Sequence, residues 1–161
     1  MGEGITDLNE SERKWLRGNF ELAGAIAQAY GLPVEPGDRL DPKTLDVAWT
    51  AWLGSHNHGV DDPNPYINAF GIALGQHLVD HLGLEWKVVQ DEGGTEMAVW
   101  GKVGDVLVFP ANLVGKRYVA RTTDFFAAIA SQIEERVHQV QGQDSAEPRS
   151  GVGRFFRRGG Q

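Results

Sequence analysis

Between Asn64 and Gly83 the chain carries an apolar helical pattern notched by two glycines, and this stretch limits what the rest can build. Ile67, Phe70, Leu74, Leu78 and Leu82 recur at helical spacing, and Gly71 and Gly75 fall together on one side. A glycine inside a helix costs about 1 kcal/mol relative to alanine. Two of them on one face therefore require something that approaches closely enough to offset the loss. In a wholly apolar span this spacing would suggest pairing within a membrane. Here Gln76, His77, Asp80 and His81 exclude that, so the pattern predicts a central, water-soluble helix with a packing notch. Asn64-Pro65 reads as a cap followed by proline at the first helical position, and Gly83 as the stop.

Three short strands follow: LEWKVVQD, TEMAVWG and VLVFP, separated by the turns Glu92-Gly93-Gly94 and Lys102-Val103-Gly104-Asp105. They predict a three-stranded antiparallel meander, too small to stand without helices on one face. Pro110 reads as the end of the third strand, and ANLVGKRYVAR as a short turn or strand. Asp124 or Thr123 then caps a last helix, DFFAAIASQIEERVHQV. Ahead of the notched stretch, Asn9 and Glu12 have capping-box spacing and open a first helix that Gly31 closes. Its apolar stripe is Trp15, Leu22, Ile26 and Tyr30, widened by Leu16, Ala23 and Ala27. Asp41-Pro42 restarts a second helix, with Leu45, Ala48, Trp49, Trp52 and Leu53 on one face; its tryptophans read as core rather than as a stacking platform. The predicted class is α+β: three helices, the meander and a C-terminal helix, packed as one domain over residues 1–141.

The chain has 161 residues, no cysteine and a net charge of −7. Without cysteine there is no disulfide framework and no thiolate metal site. No run of about 18 apolar residues exists, so no membrane-spanning helix is expected. The acidic start MGEGITDLNESERK lacks the apolar segment of a secretory signal, and a cytoplasmic address is expected. From Gly142 to Gln161 four arginines stand against Asp144 and Glu147, which leaves residues 1–141 at −9. A body this acidic repels phosphate backbones, so nucleic acid is not an expected partner. The tail itself, QGQDSAEPRSGVGRFFRRGGQ, reads as a flexible basic segment.

Few residues carry recognisable chemistry. His56, His58, Asp61 and Asp62 are the right ligand types for a divalent metal, but their spacing matches no established site. His77 and His81 are spaced i, i+4 on the notched helix, yet HLVDH lacks the glutamate of a zinc-protease motif. His81 lies in the last helical turn, where the helix dipole favours a cation. The glycines of GKVGDV and SGVGRF lack phosphate-loop spacing, and no serine nucleophile elbow exists. No cofactor is expected. Asn19 interrupts the first helix's apolar stripe, either facing a pocket or bonded to nearby backbone. Asn19, Asn68 and His81 are the polar groups placed to face any pocket beside the glycine notch. Asp91 and Glu96 in the meander, with Lys116 and Arg117 after it, form a further candidate ligand or partner site; the alternative is a surface ion pair.

The order of several marks resembles the bacterial domain of unknown function 3806 family. They are Gly71 and Gly75 in the helix, Trp86 opening the first strand, Asp91 before Gly93-Gly94, then Pro110 and the pair Lys116-Arg117. The resemblance spans about residues 65–137 and implies a small cytoplasmic bacterial α+β domain, with no reaction to carry over. The functional expectation is a protein-interaction or regulatory module with an unidentified protein partner. The alternatives are a small metal- or ligand-binding enzyme using the histidines and aspartates above, or an immunity-type protein.

Overall fold

The computed structural model describes residues 4–55 and 61–146. Strand β1 (Gly4–Thr6) leads into α1 (Glu10–Ala29), α2 (Pro42–Ser55) and α3 (Asn64–Leu82). Strands β2 (Glu85–Asp91), β3 (Gly94–Gly101) and β4 (Val106–Val108) follow, with a 3-10 turn at Val103–Asp105 before β4. Helices α4 (Pro110–Ala120) and α5 (Phe126–Ala146) complete the described chain. The class is α+β, and the sheet is antiparallel throughout, in the order β1-β2-β3-β4.

Three expectations are corrected. The sheet has four strands among the described residues, because Gly4–Thr6 pairs with β2, Ile5 opposite Val89. Three residues of ordinary composition carry too little periodicity to announce a strand; only the free edge of β2 makes them one. Residues 110–120 form a helix rather than a turn or strand. Pro110 does not merely stop β4. It occupies the first turn of α4, where its missing N–H is no loss. Third, α5 spans Phe126–Ala146 rather than the expected 124–140, and its first two N–H groups go to neither Thr123 nor Asp124.

That cap comes from another helix. Asp46 on α2 is 9% exposed, and its two carboxylate oxygens accept the N–H groups of Phe126 (2.7 Å) and Ala127 (3.0 Å). Two orphan donors at the start of α5 are thus satisfied by a residue 80 positions away. Asp124 stands close by in sequence but with φ of +57°, a turn conformation. Trp49, one helical turn beyond Asp46, is fully buried, edge-on to Phe70 at 5.2 Å, and donates its indole N–H to the Thr122 carbonyl. Both α2 residues therefore fix the entry into α5.

The two ends of α1 follow the sequence. Asn9 and Glu12 make a reciprocal capping box, and Gly31 has φ of +88° just past the end. Its buried side, however, is Ala23, Gly24, Ile26 and Ala27. Trp15, Leu22 and Tyr30, the large members of the stripe, are 43%, 37% and 39% exposed. Small residues face inward because the loop after α1 presses close: a methyl group at Gly24 would stand 2.8 Å from the Glu35 carbonyl oxygen. At α3 the residue before the helix is Pro63 rather than Asn64, and Asp62 accepts the Asn64 N–H at 3.0 Å.

The notch in α3 is filled from two sides. A methyl group at Gly71 would lie 2.6 Å from Cα of Ala111, and one at Gly75 2.3 Å from the Trp86 ring and 2.9 Å from Pro110. Helix α4 starts against the bare backbone of α3, and the Trp86 indole slots in beside it.

Candidate functional site

The residues that fill the notch also wall a cleft. It measures about 550 Å³ and opens between α1, α3, the β2–β3 surface and the first turn of α4. Ile72, Trp86, Val88, Met97 and Pro110 give it an apolar interior. Val88 and Met97 face each other across the β2–β3 ladder, so both point to the side where α3 packs. The Trp86 indole is held by its N–H, which donates to Gln76 of α3 at 3.1 Å. Trp15, on the exposed side of α1, forms the outer wall.

Polar groups sit around this interior: Ser11, Glu12, Asn68, Thr95 and Glu96. Glu12 is committed to the start of α1, since its carboxylate accepts the Asn9 N–H at 2.7 Å. Glu96 is half-buried, and burial pushes its carboxyl above the usual carboxylate range. The charged residues at the cleft, Glu12 and Glu96, are both acidic, and strand alternation turns the Glu96 side chain to the far face of the sheet; among the described residues no Lys, Arg or His lines it. A cavity of this size, mostly apolar with a few polar groups at its edge, is suited to binding.

The candidates read from sequence are distributed as follows. Asn68 and Glu96 line the cleft. Asn19 does not; its amide donates to the Trp15 carbonyl one turn back in α1. Asp91 closes the β2–β3 turn by accepting the Gly93 N–H at 2.8 Å. Lys116 and Arg117 lie on α4, and the Arg117 guanidinium rests 5.7 Å from the centre of the Phe125 ring. The ion pairs among the described residues are Arg39–Asp80, Lys87–Asp7 and Lys87–Glu85, so Asp91 and Glu96 do not meet the basic pair. The helical course of residues 110–120 is the reason, because it carries Lys116 and Arg117 away along α3 instead of back along the sheet.

His56 and His58 lie outside the described residues. Asp61 is exposed, and Asp62 is engaged at the start of α3. His77 and His81 stack with ring centres 4.1 Å apart, and Nδ1 of His81 lies 3.1 Å from the His77 carbonyl oxygen. Among the described residues no group of three or more His, Asp or Glu side chains is arranged to hold a metal. No helix among them is long and apolar enough to cross a membrane.

Sequence reasoning missed Trp15, Thr95 and Met97 as site residues. Trp15 carried a usable signal: an apolar stripe of Trp15, Leu22 and Tyr30 is bulkier than the small-residue side that α1 buries. Thr95 and Met97 carried none, because a strand residue beside a cleft looks like any other alternating residue.

Comparison with known proteins agrees with the resemblance drawn from sequence. The family model described as Domain of unknown function (DUF3806) matches residues 57–124, the segment holding α3, the β2–β4 hairpins and α4. No curated protein matches the chain. A crystal structure of a protein from Bacteroides thetaiotaomicron VPI-5482 shares the fold, with a TM-score of 0.66 at 15% identity over 84% of this chain. The chain spans 48% of the length of that protein. Neither likeness brings an activity with it.

Proposed function

We propose that the chain is a protein-interaction module that takes a partner's apolar side chain into the cleft between α1, α3 and the β2–β3 surface. The observation that carries this reading is the cleft itself, about 550 Å³, apolar within and with Glu12 at its rim. Its walls are preformed, because Trp86, Pro110 and Ala111 are locked against the glycines of α3. A preformed cleft loses little conformational entropy when it is filled. The Glu12 carboxylate at its rim favours a partner segment whose apolar side chain is followed or preceded by Lys or Arg. Trp15 supplies the large aromatic surface typical of residues that dominate binding energy.

The test is affinity capture from a native bacterial lysate with the wild-type chain and two cleft variants, Trp15→Ala and Thr95→Arg. A stoichiometric protein retained by wild type and lost by both variants, with unchanged circular dichroism, supports the reading. Capture of the same protein by all three forms, or of none by wild type, overturns it. A second reading, a small-molecule binder or enzyme, is favoured by Glu96, a half-buried carboxyl on the strand beside the cleft whose pKa burial raises. Saturable quenching of tryptophan fluorescence by a small ligand, abolished in Thr95→Arg, would select it.

A further inference from the structure

The sheet has a second apolar side. Strand alternation puts Val89, Ala98 and Leu107 on the face turned away from α3, and with Phe109 they form a separate buried cluster, none more than 1% exposed. Among the described residues the side chains packed against them are Ile5 and Trp100, both only partly buried. No buried residue of α1 through α5 belongs to this cluster, and most belong to the other one, on the opposite face. Alternation also places Glu85, Asp91 and Glu96 on the Val89–Ala98 side, and Asp105 accepts the Trp100 indole N–H at 3.1 Å. Lys87 is on this side too, with its ammonium already shared between Asp7 and Glu85. The face is thus apolar at its centre and predominantly acidic around it.

Helix α5 leads the chain to this edge. Val140 presses on Gly104, so closely that a methyl group there would stand within 2.1 Å of it, and Gly104 adjoins Asp105. From Ala146, where α5 ends, eight residue steps reach Arg154, a span of up to about 27 Å for extended chain. The sequence there is Arg154-Phe155-Phe156-Arg157-Arg158, two aromatics flanked by three arginines, outside the described residues. We propose that this segment docks in cis on the outer face of the sheet, its phenylalanines against the Leu107–Phe109 cluster and its arginines toward the surrounding carboxylates. Aromatic rings meet an apolar patch, and guanidinium groups meet carboxylates at its border. The fit is independent of the cleft on the other face.

Amide hydrogen exchange of the full chain tests this. In the variant Phe155→Asp/Phe156→Asp, residues 85–91 and 94–109 should exchange about tenfold faster, while α3 keeps its rate. A synthetic peptide of residues 147–161, added to that variant, should restore slow exchange in the same strands. The variant Arg154→Glu/Arg157→Glu/Arg158→Glu should loosen the same strands. Unchanged sheet exchange in either variant overturns the proposal. So does a peptide whose addition perturbs Asn68 and Thr95 in the cleft instead of Ala98 and Leu107.

Discussion

A methyl group at Gly75 has no room, because the Trp86 ring and Pro110 already occupy the place it would take. At Gly71 the obstacle is backbone, the Cα of Ala111, which cannot rotate aside. Helix propensity alone would make Gly71→Ala stabilising by about 1 kcal/mol. Overpacking instead predicts a loss of about 1–3 kcal/mol, measured as a lower urea midpoint. Net stabilisation would show that the notch is not closed. Glu96 makes a second residue-level prediction. Its carboxyl is held protonated more readily in the folded protein than in the unfolded chain. Ionising it therefore costs stability as pH rises from its unfolded value, about 4.3, through its folded value. Glu96→Gln should raise the melting temperature at pH 7 and leave it unchanged at pH 3, where both states are protonated.

At the level of elements, α5 depends on α2 more than on its own flanking residues. Removing the Asp46 carboxylate leaves two N–H groups at the start of α5 without acceptors. Loss of a helix cap costs about 0.5–2 kcal/mol. Asp46→Ala should reach the upper part of that range because the site is buried, and Asp46→Asn, which keeps one acceptor oxygen, should lose less; urea denaturation distinguishes them. This element also shows what sequence can and cannot reveal. The limits of α1 and α3 were legible, since the Asn9–Glu12 box, Gly31 and Gly83 act through neighbouring backbone. The cap of α5 was not, since an acceptor 80 residues distant leaves no local trace. Strand β1 and helix α4 were missed for the same kind of reason: one exists through pairing with β2, the other through the bare face of Gly71. The cleft was half legible. Asn68 could be singled out beside the notch and Glu96 as one of the meander's acids, but Trp15 and Met97 join them only through packing.

For the whole molecule, the excess of acidic groups does not make acid uniformly favourable. His77 is half-buried, and burial first, then the neighbouring His81, hold its pKa below the ordinary value; Glu134, Asp41 and Asp80 oppose the effect. The unfolded chain therefore takes up a proton at His77 before the folded one does. Stability should fall as pH drops below about 6.5, the unfolded value. His77→Gln should flatten the melting temperature between pH 7 and pH 5, and an unaltered slope would assign that dependence to other groups. The proposed interaction also belongs to this scale, because cleft and outer sheet face lie on opposite sides of the β2–β3 ladder. A partner in the cleft and the chain's own Arg154–Arg158 need not compete.

The reach of Asp46 to α5 has a genetic consequence. When one residue begins a helix that another part of the chain contains, the two positions form a single unit of inheritance. A chain that loses Asp46 should be rescued by second-site changes at residues 122–124 that supply a local cap and leave the buried Phe125 ring in place. Selection for restored solubility in an Asp46→Ala background should recover suppressors there more often than on the exposed face of α2.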